Sequence, residues 1–182
     1  MATNLDDLPM SVAEFLRFEG EPDRRYELVD GRIRMMAAGS NDHGTIAGNC
    51  WGEIDRRIER RPPCRAQVEG GIQVSDDTFY VADVVLTCKP SREQTVKDPL
   101  LIVEVLSPGT RAQDKGRKLD DYKGLASVME IWLVDSERRT VQVWWREADG
   151  WSARDFLGSA AFESRVLEDR IALDRLYRNT EL

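Results

Sequence analysis

The sequence predicts a single α/β domain over residues 1–182. Three observations carry that reading. Stretches with apolar residues at helical spacing alternate with β-prone runs along the whole chain. One run, LLIVEVL at 100–106, sits between Pro99 and Ser107-Pro108-Gly109 and reads as a strand buried on both faces. With 182 residues, 41% apolar and 32% charged, the chain has the size and balance of one globular domain with a real core. No repeat, low-complexity linker or domain boundary interrupts it.

The elements follow in order. Ser11-Val12-Ala13-Glu14 has the spacing of a capping box, and Val12, Phe15 and Leu16 supply an apolar stripe for a helix over 12–19, stopped by Gly20 and Pro22. Two β-prone runs flank Asp30-Gly31, a preferred two-residue turn, so 25–36 reads as a hairpin. Alternation puts Arg25, Glu27 and Val29 on one face and Tyr26 and Leu28 on the other. Ser40, Asn41 and Asp42 are cap candidates for a long helix to about residue 60. Its stripe is Ile46, Cys50, Ile54 and Ile58, and Pro62-Pro63 stops it. A strand over 65–74 is interrupted by Gly70-Gly71, which reads as a bulge or bend. A second β-prone run covers 79–87, and 89–98 is a polar loop. After LLIVEVL comes a helix from 110 to about 126, striped by Leu119, Tyr122, Leu125 and Ala126. Strands at 131–134, 140–146 and 151–157 form successive hairpins, and 166–177 mixes a short strand with a final helical turn.

Composition narrows the function. The net charge of −7 argues against a surface coated in DNA-binding charge, leaves room for a local basic groove, and suits a cluster of metal-binding carboxylates. A single histidine, His43, excludes any site built on two histidines of one chain. No GxSxG elbow, P-loop or GxGxxG occurs, so a Ser107-based hydrolase using His43 is set aside. The three cysteines, Cys50, Cys64 and Cys88, form no CxxC pair and are expected as reduced thiols. The acidic N-terminal stretch does not resemble a signal peptide, and no apolar run approaches the roughly 18 residues of a membrane span. A cytoplasmic location is expected.

Chemistry concentrates at two acids. Glu104 sits inside LLIVEVL, and Asp83 sits inside FYVADVVLT. A carboxylate in an apolar strand needs compensation or takes up a proton. Consecutive strands are usually neighbours, so the two acids can converge, and two converging carboxylates call for a cation between them. Hard, oxygen-preferring Mg²⁺ or Mn²⁺ is the natural occupant. On the next helix, Asp114, Lys118 and Tyr122 share one face at i, i+4, i+8. From there Lys118 can reach the carboxylates, to orient a water or stabilise charge on a phosphorane-like transition state. Plainer readings stand beside these. Glu104 can be half of a structural ion pair, His43 can cap its helix or contact a carboxylate, Asp114 can cap, and Tyr122 can simply pack.

Several motifs occur together: YELVDG at 26–31, His43 at the start of a long helix, Asp83 on an apolar strand, EVLSP at 104–108, Asp114 with Lys118 and Tyr122, and EIWLVD at 130–135. In this set and order the chain resembles the Uma-type restriction endonuclease family, within the PD-(D/E)XK nuclease superfamily. The resemblance implies a restriction-endonuclease-like fold, with a central mixed β-sheet flanked by helices. It implies Asp83 and Glu104 as metal ligands and catalytic residues, Lys118 as the catalytic lysine and Glu27 as an accessory acid. It also implies a nucleic-acid substrate, DNA before RNA, and a homodimer. Two positions depart from the superfamily pattern. Ala82 stands where proline precedes the aspartate, and Leu106 stands where the lysine belongs. The lysine must come from elsewhere, with Lys118 the first candidate and Lys115 the second. The alternative is a catalytically inactive nuclease-fold domain that serves nucleic-acid binding or protein assembly.

Overall fold

The computed structural model describes residues 9–37, 39–108 and 116–182. LLIVEVL lies in β5 (Pro99–Leu106), in the middle of a mixed eight-stranded sheet. The sheet also contains β1 (Tyr26–Val29), β2 (Arg32–Met35), β3 (Arg65–Gln73), β4 (Phe79–Thr87), β6 (Glu130–Asp135), β7 (Thr140–Glu147) and β8 (Gly150–Leu157). The order is β2-β1-β4-β5-β6-β7-β8, with β3 added on β4. Among the named strands of the described residues only β5 and β6 pair in parallel, and the segment joining them carries helix α3 (Arg117–Gly124). The other pairings are antiparallel, as the hairpin turns dictate.

Helices α1 (Val12–Phe15) and α2 (Asn41–Ile58) precede the long strands. Ser11 completes its capping box with Glu14, and Ser40 caps α2 through the His43 N–H. The predicted stripe of α2 packs on one face of the sheet, where Ile46, Cys50, Ile54 and Ile58 meet Leu101, Val103, Val105 and Trp132. On the opposite face Leu119 and Tyr122 of α3 meet Ile102, Leu106, Ile131 and Leu133. Glu104 shares the parity of Ile102 and Leu106, so it faces α3.

β4 organises the site. β3 runs along one of its edges from Phe79 to Thr87. The other edge is divided, with β1 meeting it at Phe79 and β5 pairing from Val84 to Thr87. Between these ladders no strand among the described residues pairs with that edge. The strand also turns over there. Tyr80 and Ala82 pack on the α3 side, whereas Val84 and Leu86 pack on the α2 side. Strict alternation would keep all four on one face.

Several sequence expectations are corrected. Helix α1 ends at Phe15 rather than 19, because Arg17 and Phe18 donate to residues three back and the chain closes in tight turns. The helix expected over 110–126 is seen as Arg117–Gly124, since Leu125 takes extended backbone; its earlier part lies outside the described residues. β3 keeps one register with β4 on both sides of Gly70-Gly71, so these glycines answer a space limit rather than a register slip. A strand at 161–164 had no sequence signal: β9 (Ala161–Ser164) pairs with β10 (Asp169–Ala172) in a separate ribbon, ahead of α4 (Leu173–Leu176). The expectation of three reduced thiols also fails. The β3–β4 register sets Arg65 opposite Thr87, which brings the next residue outward on each strand together, and Cys64 and Cys88 form a disulfide. Cys50 is the buried free thiol. Among the described residues no helix is long and apolar enough to cross a membrane.

A Cβ at residue 70 would lie 2.0 Å from Val85 Cγ1 in the core. Gly70→Ala is therefore expected to destabilise the fold by about 1–3 kcal/mol through overpacking. Thermal unfolding should show a Tm lower by roughly 2–4 °C per kcal/mol, and an unchanged Tm would contradict this packing.

Candidate active site

The site is built where the edge of β4 is left open. Val81, within that gap, satisfies its main chain with side chains. Its N–H donates to Glu27 Oε1 at 3.0 Å, and its carbonyl accepts from Lys118 Nζ at 3.3 Å. Glu27 comes from β1 and Lys118 from α3. The Lys118 ammonium also lies 2.9 Å from Glu27 Oε1 and 3.0 Å from Glu104 Oε1. The Tyr122 hydroxyl, one helical turn beyond Lys118, donates to the same Glu104 oxygen at 2.7 Å. Glu27, Glu104 and Lys118 are 5%, 3% and 3% exposed, so this is a buried ionic cluster. The ring of Tyr80 lies 5.4 Å from the ammonium, within cation–π range. Burial, then the hydrogen bond to Asp121, pushes the Tyr80 phenol above its ordinary range.

Asp83 stands beside this cluster. The β4–β5 register pairs Val84 with Val103, and one step further along it Asp83 comes beside Glu104. Asp83 Oδ2 accepts from the Val105 N–H at 2.7 Å. The imidazole of His43, in the first turn of α2, approaches the same oxygen at 3.4 Å. Gly39 makes room for that ring, since a Cβ there would lie 2.8 Å from its Nδ1. Beneath Asp83, burial raises the pKa of the Cys50 thiol, and the charges of Asp83 and Glu53 raise it further.

Glu27, His43, Asp83, Glu104 and Lys118 all line one open cavity of about 500 Å³. The fold thus brings together every sequence candidate except Asp114 and Lys115, which lie outside the described residues; Tyr122 contributes from behind Glu104. Sequence reasoning overlooked the rim. Arg25, Arg34 and Glu69 line the same cavity, and Arg25 had a signal, because it shares a hairpin face with Glu27. Glu69 had none, as its position depends on the β3–β4 register.

Among the described residues no three His, Cys, Asp or Glu side chains converge as a complete metal cage. The donor set still suits Mg²⁺ or Mn²⁺. Such ions are commonly held by one or two carboxylates, with water and substrate phosphate completing the shell, and Asp83 and Glu104 offer two carboxylates on one cavity wall.

Comparison with known proteins agrees with this architecture. The sequence profile of the Uma2 family, described as "Putative restriction endonuclease", matches residues 12–174. The chain belongs to this family. Two uncharacterized proteins of Synechocystis sp. are similar to it. One is 28% identical over 174 residues, covering 93% of this chain and 92% of the relative. The other is 24% identical over 159 residues, covering 84% and 90%. A solved structure, that of a "putative nuclease belonging to DUF820" from Anabaena variabilis, shares the fold with a TM-score of 0.76 at 20% identity, covering 93% of this chain and 98% of that one. The expected restriction-endonuclease-like sheet flanked by helices is therefore the fold of this Uma2 chain, and its family supports a nuclease function.

Lys118→Met would leave Glu27 and Glu104 buried without the ammonium that joins them. Removing one partner of such a cluster typically costs about 3–5 kcal/mol, so a Tm lower by on the order of 10 °C is expected. Adding Glu27→Gln to the same chain should recover part of it. A Tm unmoved by Lys118→Met would show that the ammonium does not compensate these carboxylates.

Proposed function

We propose that this protein is a metal-dependent endonuclease that hydrolyses phosphodiester bonds, with DNA as its substrate. The observation that carries the reading is the meeting of Asp83 and Glu104, on neighbouring strands, at a cavity that also holds a buried lysine. Asp83 and Glu104 would hold Mg²⁺ or Mn²⁺. Bound there, the ion would polarise the phosphodiester and lower the pKa of an attacking water.

The chain's own residues have separable tasks in this reading. Lys118 and Tyr122 both bond Glu104 Oε1 and so hold that carboxylate in place. The Val105 N–H and His43 do the same for Asp83. Glu27 fixes the lysine from the other side. Lys118 also contributes positive charge toward the scissile phosphate, the part played in the superfamily by a lysine at the position of Leu106. An ammonium fixed before the substrate arrives needs little reorganisation as charge develops, which is where preorganised electrostatics are most effective. Cleaving both strands of a duplex favours two such sites related by two-fold symmetry, so the active species is proposed to be a homodimer.

The test is cleavage of supercoiled plasmid with Mg²⁺ by the wild type, Asp83→Asn and Glu104→Gln, each checked for folding by circular dichroism. Both variants are expected to lose at least about 100-fold in rate, as when a main electrostatic contributor is removed, and EDTA should abolish wild-type cleavage. Equal cleavage by all three folded proteins would overturn the reading. A folded wild type that neither cleaves plasmid nor binds Mn²⁺ in calorimetry would instead establish the non-catalytic alternative.

A further inference from the structure

The rim of the cavity carries an ion pair that the tasks above do not use. Arg25, just before β1, and Glu69, in β3, both line the cavity, and Arg25 Nη1 lies 2.6 Å from Glu69 Oε1. Because β1 and β3 lie on opposite edges of β4, this pair reaches across β4. Its level is set by the register. Val68 pairs with Val84 and Gly70 with Ala82, so Glu69 stands opposite Asp83. Arg34 is nearby, since the hairpin register sets it across from Glu27, and it lines the same cavity. Two guanidinium groups thus stand over a floor of three carboxylates in a chain whose net charge is −7.

Two features suit the Arg25–Glu69 contact to exchange. Both side chains are about half exposed, at 60% and 48%, and pairs in that setting are weak. Glu69 also holds φ at 54°, a left-handed conformation that an L-residue with a long side chain rarely adopts. Backbone strain of this kind is concentrated at functional sites, and here it stands opposite a site acid. A guanidinium makes stronger, bidentate bonds to phosphate, so an entering phosphate can take Arg25 from Glu69.

We propose that Arg25, supported by Arg34, is the phosphate-binding group of the cleft, and that Glu69 competes with the substrate for it. Arg25 is then a positioning residue for a backbone phosphate next to the scissile one. Glu69 keeps the guanidinium pointed into the cleft before substrate arrives, and also weakens non-productive binding of DNA. This inference rests on the nuclease reading.

The experiment separates the two. Binding of a short fluorescein-labelled duplex DNA is followed by anisotropy in EDTA, where no cleavage occurs, across a series of salt concentrations, and plasmid cleavage with Mg²⁺ is measured in parallel. Arg25→Ala is expected to weaken binding about tenfold and to flatten the log K against log salt slope by about 0.9, the signature of one lost phosphate contact. Glu69→Gln should tighten binding about threefold or more by releasing Arg25 to phosphate. In the Arg25→Ala background, Glu69→Gln should gain distinctly less. Arg25→Lys should recover the salt slope but only part of the affinity. If the wild type cleaves plasmid while the salt slope and affinity are unmoved in both single variants, the phosphate assignment falls and the nuclease reading stands. If DNA is bound in the predicted variant order without any cleavage, the assignment stands and the nuclease reading falls. A wild type that neither binds nor cleaves overturns both.

Discussion

The buried ammonium of Lys118 is the contact on which the rest of the architecture depends. It joins Glu27 of β1, Glu104 of β5 and the main chain of β4 at Val81, and it arrives on α3. Four elements therefore converge on one group. Taking such charges out of water costs several kcal/mol per ion, by order of magnitude, unless their partners repay it. Here the partners are also backbone: Glu27 and Lys118 satisfy the N–H and carbonyl of Val81 on the edge of β4 that neither β1 nor β5 covers at that residue. Replacing the cluster with apolar side chains would leave those main-chain groups wanting partners. This gives a physical reason for a polar cluster where a fully apolar interior would otherwise be more stable.

The gap in the sheet edge makes a site possible. Continuous pairing of β4 would bury Asp83 and Glu104 against a neighbouring strand. Because β1 and β5 share that edge without covering all of it, a cavity reaches the two carboxylates between them. The first turn of α2 brings His43 to one side of it, and the hairpin and β3 raise a rim of opposite charges on the other. Glu27 and Glu104 on the floor are buried and Asp83 is largely so, whereas the rim pair Arg25–Glu69 is about half exposed. Under the proposed nuclease function that division would suit a cleft for a polyanion, with buried groups held in place below a rim that exchanges partners.

Much of this was legible in the sequence. Glu104 and Asp83 stood out because each interrupts an apolar strand, and burial makes such an interruption costly enough to demand a partner. The i, i+4 spacing of Lys118 and Tyr122 placed both on the face that meets Glu104. Asp30-Gly31 specified the hairpin and so the face of Glu27. Three features could not be read. The disulfide between Cys64 and Cys88 follows from pairing across the sheet, for which a separation of 24 residues carries no signal. The strand at Ala161–Ser164 is too short and mixed to show a period. The left-handed backbone of Glu69 and its contact with Arg25 are announced neither by its own side chain nor by spacing.

The sequence by itself determined the class of the domain, the long buried strand, the principal helix, and the small set of acids and one lysine from which a site could be made. These are local matters: periodicity, turn chemistry and the cost of a charge among apolar neighbours. Tertiary structure alone decided that the ammonium of Lys118 bridges two carboxylates from different strands, that Asp83 stands beside Glu104 at an open edge, and that Arg25 reaches across β4 to Glu69. Each of these depends on register and on which strands share an edge. Such relations are set by long-range packing, where shifting a strand by one residue would reverse every side chain it presents.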